Sequence, residues 1–85
     1  LAAVPTIVAL REQAERIRLE ELQEALTRLP SLDEDGRQVV EALTAAIVNK
    51  LLHQPIIEVK RGNNGWSTSE RVRAAQKLFG LPANE

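Results

Sequence analysis

The chain has 85 residues, 44% of them hydrophobic, with 11 Lys/Arg against 12 Asp/Glu and a formal net charge of -1. That length holds one small domain at most, and the near-balance of charge gives no general pull toward a polyanion such as nucleic acid. The absence of cysteine removes a disulfide framework, a thiolate nucleophile and any sulfur ligand for a metal. No apolar run approaches the ~20 residues that span a bilayer, and the opening LAAVPTIVAL lacks the basic region of a signal peptide. A chain that does not begin with Met reads as a fragment of a longer cytosolic-type protein, or a processed one. Trp66 and Phe79 are the only aromatic residues. The core is therefore aliphatic, which suits helix-on-helix packing better than strands.

Pro5 fits the first turn of a helix, where its missing N–H costs nothing. No Gly or Pro then interrupts the chain until Pro30, which ends the run after Leu29. Glu12–Arg16 and Glu24–Arg28 are i,i+4 pairs in the favourable order, each adding roughly 0.2–0.5 kcal/mol. The apolar stripe of this helix is not straight. Ile7, Leu10, Ala14 and Ile17 form one line, and Leu19, Leu22, Leu26 and Leu29 form another, about 100° around the helix. The two halves are thus expected to bury against different neighbours, the N-terminal half against something outside the chain.

In SLDEDG, Ser31 and Glu34 match the capping box S-x-x-E, and Asp33, Glu34 and Asp35 suit the positive end of a helix dipole. Gly36 is a local weakness of about 1 kcal/mol against Ala. The second helix is expected to run to about Leu52, with Leu32, Val39, Val40, Leu43, Ile47 and Leu51 along one stripe. The short link through Pro30 and Ser31 favours an antiparallel hairpin. Pro55 closes that helix or opens PIIEVKR, a short helix or turn, although β-branched Ile56, Ile57 and Val59 also permit an extended segment. Gly62 to Gly65 (GNNG) form a loop. Ser67 and Glu70 repeat the capping box and start a last helix of about three turns, whose apolar side is Val72, Ala75, Leu78 and Phe79. Gly80 is its natural stop, Pro82 blocks continuation, and the tail is expected to fray.

The first helix, 25 residues and about 37 Å long, projects beyond the ~12 Å radius of gyration of a compact chain of this size. Two long amphipathic helices leave one apolar side open, and a second copy closes it as a four-helix core. The expected architecture is therefore all-α: an antiparallel helical hairpin plus a short C-terminal helix, completed as a helical bundle by dimerisation. The candidate interface residues are Leu19, Leu22, Leu26, Leu29, Val39, Val40, Leu43, Ile47 and Leu51. Whether the C-terminal helix packs on its own chain or its partner stays open at this stage, as does an alternative in which a monomer receives another protein's helix in the open groove.

His53 is the residue that most invites a chemical role, yet no nucleophile accompanies it. Its plainer role is to bond free carbonyls in the last turn of the second helix. Asn49 and Lys50 flank the apolar stripe and either fix its register across an interface or are simply solvated. The Arg and Glu residues between Arg11 and Arg28 read as a solvated helix face. Trp66 reads as an anchor for the adjoining loop, or for a partner. No catalytic, cofactor-binding or metal-binding residue is assigned.

ALREQAERIRLEELQEALTRLP (9–30), ALTAAIVNKLLHQP (42–55) and AAQKLFGL (74–81) together resemble the C-terminal dimerisation domain of glutamyl-tRNA reductase, with IVNKLLH the most specific piece and Arg18 to Leu22 matching an R-x-x-E-L helix. The resemblance covers nearly the whole chain except KRGNNGWSTS. It implies a parent enzyme that uses NADPH to reduce glutamyl-tRNA to glutamate-1-semialdehyde, the first committed step toward haem and chlorophyll. It also implies a V-shaped homodimer with no membrane anchor, in the bacterial cytoplasm or the plastid stroma. Regulatory helical-repeat proteins that bind this domain in plants are a further implied partner. The parent's cysteine and nicotinamide-binding motif are absent from this chain, so no cofactor is expected here. Residues about 1–17 correspond to the end of the family's long spinal helix, and Asn49, Lys50 and His53 become structural polar residues.

Overall fold

A computed structural model describes residues 3–61 and 65–83. Its elements are α1 (Ala3–Thr27), α2 (Glu34–Lys60) and α3 (Thr68–Phe79), with no strand among the described residues. The chain is all-α, in keeping with its aliphatic composition.

α1 ends where Thr27 turns its hydroxyl back to donate to the Glu24 carbonyl (2.7 Å). Arg28 and Leu29 then tighten the backbone with N–H bonds to the carbonyls of Ala25 and Leu26 (3.0 and 3.1 Å). The Leu32 N–H donates to the Leu29 carbonyl at 3.1 Å and closes a four-residue turn with Pro30 at its second position, where the fixed φ of proline is pre-set. The hairpin expected from the short link is the one observed.

The capping box expected at Ser31 does not form. Asp33 is the N-cap, and its carboxylate accepts from the Gly36 N–H at 2.8 Å. Asp caps as well as Ser, and starting one turn later frees Pro30 and Ser31 to make the reversal. Gly36 then falls at the third helical position, so no Glu can reciprocate. Leu32 lies over this glycine: a Cβ there would meet Leu32 Cδ1 at 2.6 Å. The residue read as a propensity weakness is a packing accommodation.

The second correction concerns Pro55, which neither ends α2 nor opens a third short helix. α2 runs straight through it to Lys60. Proline lacks the N–H that Leu51's carbonyl would accept. Helical phase beyond it, however, puts Ile56 and Val59 on the same side as Leu52, and all three are buried. Burial of a full side chain gains about 1.5–3 kcal/mol, so two of them offset the roughly 3 kcal/mol that an interior proline costs. His53 consequently sits two turns before the helix end and is exposed, away from the free terminal carbonyls expected as its partners.

The third correction concerns the N-terminal half of α1, which leans on its own chain. Leu10 packs with Leu52, Ile56 and Leu81, with Ile7 and Ala14 against them. Val59, Val72 and Ala75 form an adjoining cluster that Ala3 and Ile7 also touch. The extension of α2 and the return of α3 supply the surface the sequence left unassigned. α3 therefore packs on its own chain, and the Gln13 side-chain amide donates to the Phe79 carbonyl at 2.6 Å.

The capping box at Ser67 is present in both directions, with Ser67 N–H to Glu70 at 2.7 Å and Glu70 N–H to Ser67 Oγ at 3.2 Å. Gly80 closes α3 in the left-handed region (φ 64°, ψ 36°), where a side chain would be strained. The Leu81 N–H reaches the Gln76 carbonyl (2.9 Å), and Leu81 drops into the core. Of the loop expected at 62–65 only Gly65 is described, at φ 85°. The rest of that loop and the end of the tail lie outside the described residues.

Both buried clusters lie at the end where α3 crosses the hairpin. The distal half of the hairpin holds a single buried hydrophobic, Leu22. The molecule is accordingly long, 51 × 23 × 18 Å, with a radius of gyration of 16.0 Å, against about 12 Å for a compact chain of this length.

Candidate functional site

Between Val39 and Leu52, α2 carries only Glu41 and Lys50 as charged residues. One side of this stretch, Val40, Thr44, Val48 and Leu52, turns toward α1 and is buried or half-buried. The opposite side is also aliphatic and is open: Val39 is 68% exposed, Leu43 56%, Ile47 48% and Leu51 69%. These four follow one another at i+4, and the small Ala42 and Ala46 beside them are exposed as well, leaving room for another helix to approach closely. A helix that is apolar all round belongs in an interior. Ile17 and Leu19 add exposed hydrophobics on α1, and Leu29 adds one in the turn that follows it.

The surface area points the same way. A monomer of 9.4 kDa exposes about 5,000 Å² when compact, whereas this chain exposes 6319 Å². The excess, roughly 1,300 Å², is more than the ~800 Å² that each partner contributes to a standard interface.

The expected interface residues thus divide. Leu19, Leu29, Val39, Leu43, Ile47 and Leu51 are exposed, Leu26 and Val40 are half-buried, and Leu22 is spent inside the hairpin. Asn49, Lys50 and His53 are all exposed. Lys50 lies on the open apolar face, where its aliphatic stem can lie flat and its ammonium reach the edge.

One residue escaped the sequence reading. Arg18, which the charge pattern places on a solvated face, has a side chain only 15% exposed. Its guanidinium donates across the hairpin to Thr44 Oγ1 (3.1 Å) and, within α1, to both carboxylate oxygens of Glu15 (3.0 and 2.5 Å). The Thr44 hydroxyl in turn donates a hydrogen bond to the Glu41 carbonyl at 2.9 Å. These hydrogen bonds from Arg18, with partial desolvation opposing them and its charge assisting, hold the Glu15 carboxyl below its ordinary 4.5. The group fixes the register of α1 against α2 below the open face. Of the two ion pairs expected along α1, Glu24–Arg28 is present at 3.1 Å and Glu12–Arg16 does not form; Arg18–Glu15 is the close pair near the helix centre.

At the other end, an open apolar groove of about 380 Å³ lies between α2 and α3, lined by Pro55, Val59, Trp66, Leu78 and Phe79 among others. Arg71 pins the backbone beside it, donating to the carbonyls of Val59 (3.3 Å) and Trp66 (2.7 Å). The Trp66 residue itself is half exposed. No group of three or more His, Cys, Asp or Glu suited to a metal occurs among the described residues, and none of their helices is long and apolar enough to cross a membrane.

A helical hairpin locked in register, with a second apolar face left open, defines an all-helical association module. Comparison with known proteins gives that class its family. Residues 1–81 match the family model described as "Glutamyl-tRNAGlu reductase, dimerisation domain". The chain is 52% identical over 81 residues to a glutamyl-tRNA reductase of Syntrophobacter fumaroxidans, covering 95% of this chain and 18% of that protein. It is 49% identical over 79 residues to the one from Roseiflexus castenholzii (93% and 18%), and 42% identical over 86 aligned positions to that of a Cyanothece strain (100% and 20%). No solved structure gives a significant match. The chain belongs to the glutamyl-tRNA reductase dimerisation-domain family, and it spans about one fifth of the length of these relatives.

Proposed function

We propose that this chain joins two copies of a glutamyl-tRNA reductase, and that the outward face of α2 is the joining surface. The observation that carries the reading is the two-sided apolar character of α2 between Val39 and Leu52, of which α1 covers only one side. The family description and the names of the relatives support the joining of two copies of such an enzyme. In this reading the whole protein reduces glutamyl-tRNA to glutamate-1-semialdehyde with NADPH, in the bacterial cytoplasm, and residues about 1–17 continue a longer helix that carries its other domains. The chain's own part is mechanical: α3 and the buried clusters brace one end of the hairpin, the Arg18–Thr44 bond sets its register, and the distal half presents the face.

Sedimentation equilibrium of the 85-residue chain tests this. The expected result is a reversible dimer, with helicity lost on dilution as the partner is lost. A folded chain that stays monomeric at high concentration overturns the reading and favours a monomer that takes up another protein's helix.

A further inference from the structure

The two ends of the molecule carry opposite charge. Residues 15–41, around the tip of the hairpin, hold 4 Lys/Arg against 8 Asp/Glu, whereas residues 3–14, 42–61 and 65–83, toward the α3 end, hold 7 against 3. The polarity runs along α2 itself: Asp33, Glu34 and Asp35 stand at its start, and Lys60 and Arg61 at its end. The midpoint of the open row Val39–Leu43–Ile47–Leu51 is position 45, close to the small exposed residues Ala42 and Ala46.

Resting on the self-association proposed above, we infer that the occupant of this face is a second copy of the chain whose α2 runs antiparallel to the first, about a two-fold axis near residues 45–46. Val39 then meets the partner's Leu51, and Leu43 meets the partner's Ile47, so the row is complementary to itself as a two-fold contact requires. The acidic start of each α2 comes beside the basic end of the other, and the helix dipoles oppose favourably. A parallel pair, by contrast, stacks Asp33, Glu34 and Asp35 of both copies at one end and Lys60 and Arg61 at the other, which is repulsive at both. Continuing along the antiparallel pair, the tip of one hairpin extends toward the groove that Trp66 and Leu78 line on its partner.

The chain's lack of cysteine makes the test direct. Val39→Cys and Leu51→Cys chains are mixed in equal amounts under reducing conditions, oxidised, and the disulfide products identified by mass. The antiparallel pair gives mainly the mixed Val39→Cys/Leu51→Cys product. In that arrangement two Val39→Cys sites lie about 18 Å apart along the axis, beyond the ~7 Å Cα limit of a disulfide. Predominance of either symmetric product overturns the orientation while leaving self-association standing. No cross-link in a chain that sediments as a dimer overturns this face. A chain that sediments as a monomer overturns the self-association on which the inference rests.

Charge exchange gives an independent readout. Glu34→Lys and Lys60→Glu each weaken the dimer roughly 2- to 30-fold, two exposed pairs being lost per dimer, and the effect shrinks with salt. The double variant recovers affinity in the antiparallel dimer. Positions 34 and 60 are about 39 Å apart within one helix, and both changes oppose that helix's own dipole, so recovery can come only through the partner. Additive loss in the double variant overturns the proposal.

Discussion

Leu43→Ala separates association from folding, because Leu43 lies outside the chain's own core. The residue is 56% exposed, so somewhat over half of the 1.5–3 kcal/mol available from burying a leucine remains to be gained, about 1–1.5 kcal/mol per copy. A two-fold dimer contains it twice. The expected loss of association energy is therefore about 2–3 kcal/mol, a rise in Kd of roughly 30- to 150-fold. The fold of each chain should be affected by less than about 0.5 kcal/mol, the usual range for a surface change. Sedimentation equilibrium over a wide concentration range reads the first quantity. Circular dichroism at concentrations where both proteins have the same association state reads the second. A Kd within about twofold of the wild type, a difference of only ~0.4 kcal/mol, refutes the assignment of this face. So does a variant whose monomer is less helical than the wild-type monomer.

Leu52→Ala, at a site 6% exposed among Leu10, Ile56 and Leu81, should do the reverse: a loss of about 2–5 kcal/mol in folding, read by urea unfolding. If it left stability unchanged, Leu52 would not be packed against Leu10 and Leu81 as described. Asp33→Ala should cost about 1 kcal/mol through loss of the cap, and Ser31→Ala almost nothing; the opposite ranking in thermal melts would restore the box that the sequence favours. Because folding lowers the Glu15 carboxyl below 4.5, its contribution is complete above that value and is lost as pH falls through the folded pKa. Glu15→Gln should accordingly show a smaller drop in melting temperature than the wild type between neutral pH and the acid side of 4.5, and parallel curves would sever Glu15 from Arg18's role.

Much of the fold was legible because local signals agreed. Uninterrupted helical patterning fixed α1, the Pro30–Ser31 link fixed the hairpin, and Ser67–Glu70 with Gly80 fixed both ends of α3. Misreadings arose where a local rule met tertiary burial. Pro55 is a helix breaker by its own chemistry, and nothing adjacent to it says otherwise. Only the placement of Ile56 and Val59 against residues of α1 and α3 holds the helix together. Ser31 lost the cap to Asp33 because the turn needed its backbone, a competition between two satisfactory solutions that propensity does not rank.

The open face was legible as surplus but not as geometry. Composition showed more apolar material than one hairpin hides, yet the stripe drawn from Leu32 through Val40 to Leu51 mixed both sides of α2. Val40 faces inward and Leu43 outward, and only a phase anchored by Leu52 and Ile56 separates them. A subtler signal was present: Leu10, Ala14, Arg18 and Leu22 advance by four along α1, as Val40, Thr44, Val48, Leu52 and Ile56 do along α2. Each row is apolar except for one polar residue, Arg18 in one and Thr44 in the other, and these two meet at 3.1 Å. A polar interruption in each of two rows expected to face one another marks the level at which they align. That level fixes which side of α2 is consumed by α1, and so, by subtraction, which side remains for a second chain.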